Sequence, residues 1–126
     1  MTRQDPDMRW GLTRADWDTA REQARALMVA RAAAGLTVTY SELCAGIAVA
    51  RFIPRSWRLT ALVGEVCEAE DALTGALLAT IVVRQDTGRP GEGYFVWALG
   101  AGLPAEDREA FWVAQAERVW SAYRPG

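Results

Sequence analysis

Apolar and polar positions alternate along this chain with two different periods, and the change of period marks its elements. Trp17, Ala20, Ala24, Leu27 and Met28 recur at helical spacing, with Asp18, Arg21, Glu22 and Arg25 on the other side, which predicts an amphipathic first helix. Thr13-Arg-Ala-Asp16 is a variant capping box at its start, and Gly35 is the expected stop. Leu36 to Tyr40 is a short β-prone stretch. Thr39 to Glu42 repeats the T-x-x-E pattern, so a second helix is expected from about Tyr40 to Ala50, with Leu43, Cys44 and Ile47 inward. Phe52-Ile-Pro54 interrupts it, because a proline pushes the preceding residue out of the helical region. Ser56 can cap a third helix to about Ala69, whose stripe is Leu59, Leu62, Val63 and Val66. Arg58, Ala61, Glu65 and Glu68 fall on its other face.

Leu77 to Val83 is a continuous, β-branched apolar run and is read as a buried strand. Tyr94 to Leu99 is read as a second one. Asp86-Thr-Gly88 and Pro90-Gly-Glu-Gly93 lie between them, so a long-tipped antiparallel hairpin is expected. Pro104, Glu106 and Asp107 suit the start of a last helix lined by Trp112, Ala116, Val119, Trp120 and Tyr123. The expected fold is α+β: helix, short strand, helix, helix, two-stranded wing, C-terminal helix. That is the order of a winged helix-turn-helix domain, here over residues 13–126 behind an irregular segment at 1–12.

Composition then removes whole classes of chemistry. The chain has 126 residues, enough for one domain with its own core. All 14 basic residues are arginine, and there is no histidine and no lysine. Schiff-base, P-loop and histidine-dependent mechanisms are thereby excluded. The net charge of −2 argues against a basic field over the whole molecule. No apolar run is long enough for a bilayer, and Met1 to Asp7 lacks the apolar stretch of a secretory signal. Cys44 and Cys67 sit among apolar neighbours and read as small buried residues, which suits a reducing cytoplasm. No cofactor and no metal is expected.

The charge is positive only locally. From Leu43 to Gly64 there is no carboxylate, while Arg51, Arg55 and Arg58 fall within eight positions. The third helix would be the recognition helix, presenting Arg55, Ser56 and Arg58 from its N-terminal end. Arginine forks match phosphate oxygens and the guanine edge. Arg84 and Arg89 would act from the wing. Trp57 would stack on a base or close the turn between the helices, and the turn is the favoured reading. The bland alternative is a solubilising arginine surface, with Arg51 capping the second helix. Glu65 and Glu68, with Glu70 and Asp71 behind them, leave only the first two turns of the third helix usable against phosphates.

Other constellations are weaker. Glu65, Glu68, Asp86 and Glu92 could gather around a divalent cation, but paired glutamates at helical spacing more often form a solvated face. The glycine-rich Gly88 to Gly93 segment could cradle an anion, but it is read as a turn. Trp17, Trp112 and Trp120 lie on apolar stripes and are read as core or as a surface for a protein partner or second subunit.

Val38-Thr-Tyr-Ser-Glu-Leu43, Leu62-Val-Gly64, Val82-Val83 with Gly88, and Gly93-Tyr94 together resemble the winged-helix domain of the alkylguanine-DNA alkyltransferases and alkyltransferase-like proteins. The resemblance covers about residues 36–97. It implies duplex DNA binding through the minor groove. It puts Tyr40 on the family's threonine-tyrosine motif, which helps rotate the target nucleotide, and Tyr94 on the glycine-tyrosine that ends the active-site loop. The family's arginine finger would fall on Ala61. Its Pro-Cys-His-Arg motif would fall on Leu78 to Ile81, with the alkyl acceptor at Ala79. Both are absent, so the resemblance implies the scaffold without alkyl transfer.

The expectation is therefore a small non-catalytic protein that binds double-stranded DNA. Arg51, Arg55, Arg58, Arg84 and Arg89 would contact it, and Tyr40 and Trp57 would brace the helix pair. A protein-interaction module on the same scaffold is the alternative, and a metal-dependent nuclease is a distant third.

Overall fold

The computed structural model describes residues 10–125, so most of the segment expected to be irregular, residues 1–9, lies outside the described residues. Helix α1 spans Arg14–Ala33, and the Thr13 hydroxyl accepts from the Asp16 amide at 3.1 Å. Its buried residues are Trp17, Ala20, Ala24, Met28 and Ala32. The three alanines let neighbouring helices approach closely, and α1 becomes the central element. Strand β1 (Val38–Thr39) leads into α2 (Tyr40–Gly46). There the capping box is reciprocal, with Thr39 Oγ1 accepting at 3.1 Å and Glu42 Oε1 accepting from the Thr39 amide at 2.9 Å.

Helix α3 runs from Trp57 to Thr74, five residues beyond the expected end at Ala69. Ser56 caps it by accepting from the Leu59 amide at 3.1 Å, and Gly75 ends it at φ 73°, a left-handed conformation natural to glycine. Helices α2 and α3 each lean on α1. They are joined by residues 47–56 rather than by the three- or four-residue turn of a tight helix-turn-helix.

The hairpin expected between Leu77 and Leu99 does not form. Leu78–Ile81 is a 3₁₀ turn, and only Val82–Val83 is extended, as β2. It pairs in parallel with β1, Val38 opposite Val82 and Thr39 opposite Val83, with α2 and α3 as the crossover. Glu92–Gly100, read as strand from Tyr94 on, is helix α4. Helix α5 covers Arg108–Tyr123, and its cap is Asp107, whose carboxylate accepts from the Ala110 amide at 3.1 Å. Among the described residues the architecture is thus a helix-dominated α+β fold of five helices and a two-stranded parallel sheet. The short apolar runs misled because a continuous run has no period from which to choose between strand and buried helix.

The main core packs α1, α3 and the 3₁₀ turn around Met28, Leu62, Val66, Leu78 and Ile81. A second cluster ties α4 to α5 through Phe95, Ala98, Phe111, Trp112 and Ala116. Trp17 and Trp112 are fully within these cores, and Trp120 is half-buried against both. Each indole N–H is satisfied inside the molecule: Trp17 by Glu65, Trp112 by the Thr80 carbonyl at 2.9 Å, and Trp120 by the Leu36 carbonyl at 3.0 Å. The partner surface expected from these tryptophans is therefore spent on the fold. Glu70 is buried as well, held by Arg25 at 3.0 Å and by the Tyr123 hydroxyl at 2.7 Å. Burial opposes its carboxylate, but the bonds from Tyr123 and Arg25 outweigh that and lower its pKa. Among the described residues no helix is long and apolar enough to cross a membrane.

Candidate nucleic-acid interface

A cleft of about 830 Å³ opens between α3, the 3₁₀ turn and α4. Its floor includes Ala79 and Cys67, and its walls include Tyr40, Tyr94 and Trp97. Tyr40 stands at the first position of α2 because the capping box starts the helix there, and its hydroxyl accepts from the Gly91 amide at 3.3 Å. Tyr94 is fixed by a 2.7 Å bond to Thr80, and burial pushes its pKa up to about 12, so it stays a neutral phenol. Ala61 and Gly64 keep part of the α3 wall low, between larger lining residues such as Leu59, Val63 and Glu68. Burial also pushes the Cys67 thiol up, which keeps it from acting as a thiolate. With no histidine or lysine in the chain, nothing stands ready to activate it.

The cleft carries side chains of both charges. It follows α3 from Thr60 to Asp71, a span of about 16 Å at the helical rise. Arg55 and Arg84 border the end near the start of α3, Glu68 and Asp71 line it further along α3, and Glu65 and Glu92 line it as well. A smaller depression of about 250 Å³ adjoins the arginine end, and Tyr40, Arg55 and Arg84 border both.

The eight residues expected to form the interface separate into two groups. Tyr40, Arg55 and Arg84 meet at the mouth of the cleft. Arg84 also holds Asp86 in a two-bond pair at 3.0 and 2.8 Å. Arg55 is exposed and sits at φ 66°, a conformation in which a side chain costs about 1 kcal/mol or more relative to the ordinary regions. Arg51 is exposed on the α2–α3 connection. Ser56 caps α3.

Arg58 and Arg89 do not join them. The Arg58 guanidinium stacks 4.5 Å from the Phe52 ring and donates to the carbonyls of Arg51 and Trp10, so it closes the connection into α3. That is the task expected of Trp57, which instead stands 80% exposed. Arg89 was expected on a wing. It lies on the loop between β2 and α4, paired to Glu109 at 2.8 Å and stacked 3.8 Å over Trp112. The loop is closed by bonds from the Gly88 amide to the Arg84 carbonyl and from the Arg84 amide to the Arg89 carbonyl, both 2.9 Å. Those amides and that of Gly91 are taken, which removes the anion cradle weighed for Gly88 to Gly93.

The acidic quartet does not gather. Glu65 turns back to Arg21 at 2.8 Å and to the Trp17 indole, Asp86 goes to Arg84, and Glu92 pairs with Arg108 at 2.7 Å. Among the described residues no three metal-binding side chains stand close enough to hold an ion. Cleft residues that sequence reasoning missed are Trp97, hidden in the segment read as strand, and the Glu68–Asp71 pair, which lines the cleft further along α3. Family models, curated proteins and solved structures, each compared with this chain, yield no match.

Proposed function

We propose that this chain is a small, non-catalytic DNA-binding protein of helix-turn-helix type, working in the cytoplasm. It docks on duplex DNA with the N-terminal end of α3 and receives one base, turned out of the stack, in the cleft. One observation carries the reading. Tyr40, Ala61, Ala79 and Tyr94, the four positions that the resemblance to alkyltransferase-like proteins singles out, are far apart in sequence and line the same cleft.

The chemistry of the cleft supports this reading. A turned-out base needs aromatic and apolar walls and a hydrogen-bonding edge. Tyr40, Tyr94 and Trp97 provide the walls. Arg55 and Arg84 stand where the backbone phosphates would pass, and Arg55 keeps its side chain at a backbone position better suited to glycine. Glu68 and Asp71 line the cleft further along α3, where carboxylates accept from an exocyclic amino group. Ala79 offers no nucleophile, so the bound base is held and released unchanged.

The test is fluorescence anisotropy of a labelled duplex across a salt series. Affinity should fall steeply from about 50 to about 200 mM salt, as it does when a few phosphates are neutralised. No duplex binding at the low-salt end removes the proposal. The interaction-module reading keeps one observation in its favour, the exposed apolar side of α4 at Val96, Trp97 and Leu99. Stable self-association, or a partner retained after nuclease treatment in the absence of duplex binding, would favour it.

A further inference from the structure

We propose that Trp57 is an intercalating wedge, inserted between base pairs beside the cleft. This rests on the DNA-binding reading and adds a residue and a mechanical step to it. Trp57 is the most exposed large apolar side chain among the described residues, at 80%. It is the first residue of α3, but Ser56 supplies the cap, so the helix start does not need an indole there. Among the described residues its ring stacks on no aromatic or arginine side chain, and its N–H has no acceptor. The tryptophans on α1 and α5 are spent on the core, whereas Trp57 is more exposed than either Trp10 or Trp97, the two other exposed ones.

Position on the helix gives the exposure a direction. Trp57, Ala61, Gly64, Glu68 and Asp71 follow one another at i, i+4, i+7, i+11 and i+14, one stripe of α3. The last four line the cleft, so Trp57 projects from the same side, one turn beyond the cleft's end. Ala61 and Gly64 are small, so this stripe carries no bulky side chain between the indole and Glu68. Duplex DNA is the occupant that the charge selects. Arg55 stands two residues before Trp57 and Arg51 is exposed on the same connection, and neither guanidinium forms an ion pair or hydrogen bond among the described residues. Asp86 feels the charge of Arg55, but its hydrogen bonds go to Arg84. An exposed apolar plane next to a cation that makes no hydrogen bond suits a stack of bases walled by phosphates. Minor-groove proteins unstack base steps with such apolar side chains. The wedge fills the space that a turned-out base vacates, and the cleft alongside takes the base.

The experiment uses the full chain and a short duplex carrying 2-aminopurine at its centre, whose emission rises on unstacking. Wild-type protein should raise the emission. W57A should abolish the rise and weaken binding by about tenfold, the size of one lost stacking platform. Its salt dependence should stay unchanged, because no phosphate contact is lost. W57F should keep most of both signals. R55A should do the reverse, flattening the salt dependence while keeping the rise. Trp57 is exposed, so W57A should melt with wild-type stability. If the wild type binds the duplex and W57A matches it in emission and affinity, the wedge is wrong and the DNA reading stands. A change of oligomeric state in W57A by light scattering would make the surface a protein interface and overturn the wedge too. Absence of wild-type duplex binding removes both.

Discussion

Two sides of α3 use the same residue types in opposite ways. On the side facing α1 and α5, charges are committed. Arg25 and Tyr123 both bond the buried Glu70, Arg21 holds Glu65, and Trp17 lies in the core. At the N-terminal end and along the cleft, Arg51, Arg55 and Trp57 are exposed, and the cleft stays open between aromatic walls. Satisfied polar groups and filled volume make a scaffold. Uncommitted cations beside an open apolar cleft make a surface that gains by meeting something else. Substitutions on the first side should therefore change stability, and substitutions on the second should change binding with the fold intact.

The largest effect should come from the scaffold. Trp112→Ala removes a buried ring, its bond to the Thr80 carbonyl and the platform under Arg89. It should lower the unfolding free energy by about 3–5 kcal/mol in urea titration. A loss below about 1 kcal/mol would mean that α4 and α5 are joined by something other than this ring.

Next comes Glu70→Ala, which strands the Tyr123 hydroxyl and leaves Arg25 without its buried partner. A cost of about 1–3 kcal/mol is expected. The wild-type contribution is linked to pH. Because the folded pKa lies below the usual 4.5, the stabilisation is complete above that value and is lost as pH falls through the folded pKa. Unfolding measured against pH should show this acid-side loss in the wild type and less of it in the variant.

On the binding side, Arg55→Gly sharpens the contrast. Glycine relieves the φ of 66°, so stability should stay level or rise by up to about 1 kcal/mol. Duplex affinity should drop, and the slope of log affinity against log salt should lessen by about one. Loss of stability without loss of binding would make Arg55 a structural residue. The smallest effect should come from Ala79→Phe, which places a ring on the cleft floor. It should leave the salt dependence as it was while blocking entry of a base, read as the loss of preference for a duplex with a central mismatch over a paired one.

Legibility in the sequence followed the same division. Capping pairs announce themselves locally, so Thr13, the Thr39–Glu42 box and Ser56 mark the starts of α1, α2 and α3 within a residue of the observed ones. Residues 77–99 could not be read this way. Leu78 to Val83 is buried except at Ala79, and α4 buries Phe95 and Ala98 while leaving Val96, Trp97 and Leu99 exposed, so neither segment shows a clean period. The arginines were equally opaque. Arg58 and Arg55 look alike in sequence, and only the placement of Phe52 shows that one is stacked and the other open. The cleft joins α2, α3, the 3₁₀ turn and α4, and no local spacing could reveal that juxtaposition.

The central claim is that duplex DNA meets the N-terminal end of α3 and the cleft, and it is most directly tested by NMR titration of the labelled protein with a short duplex at low salt. The account predicts amide shifts at Arg55 to Gly64, at Ala79 and from Arg84 to Tyr94, with α1 and α5 quiet. Shifts confined to the outer faces of α1 and α5, or none at all, would contradict it.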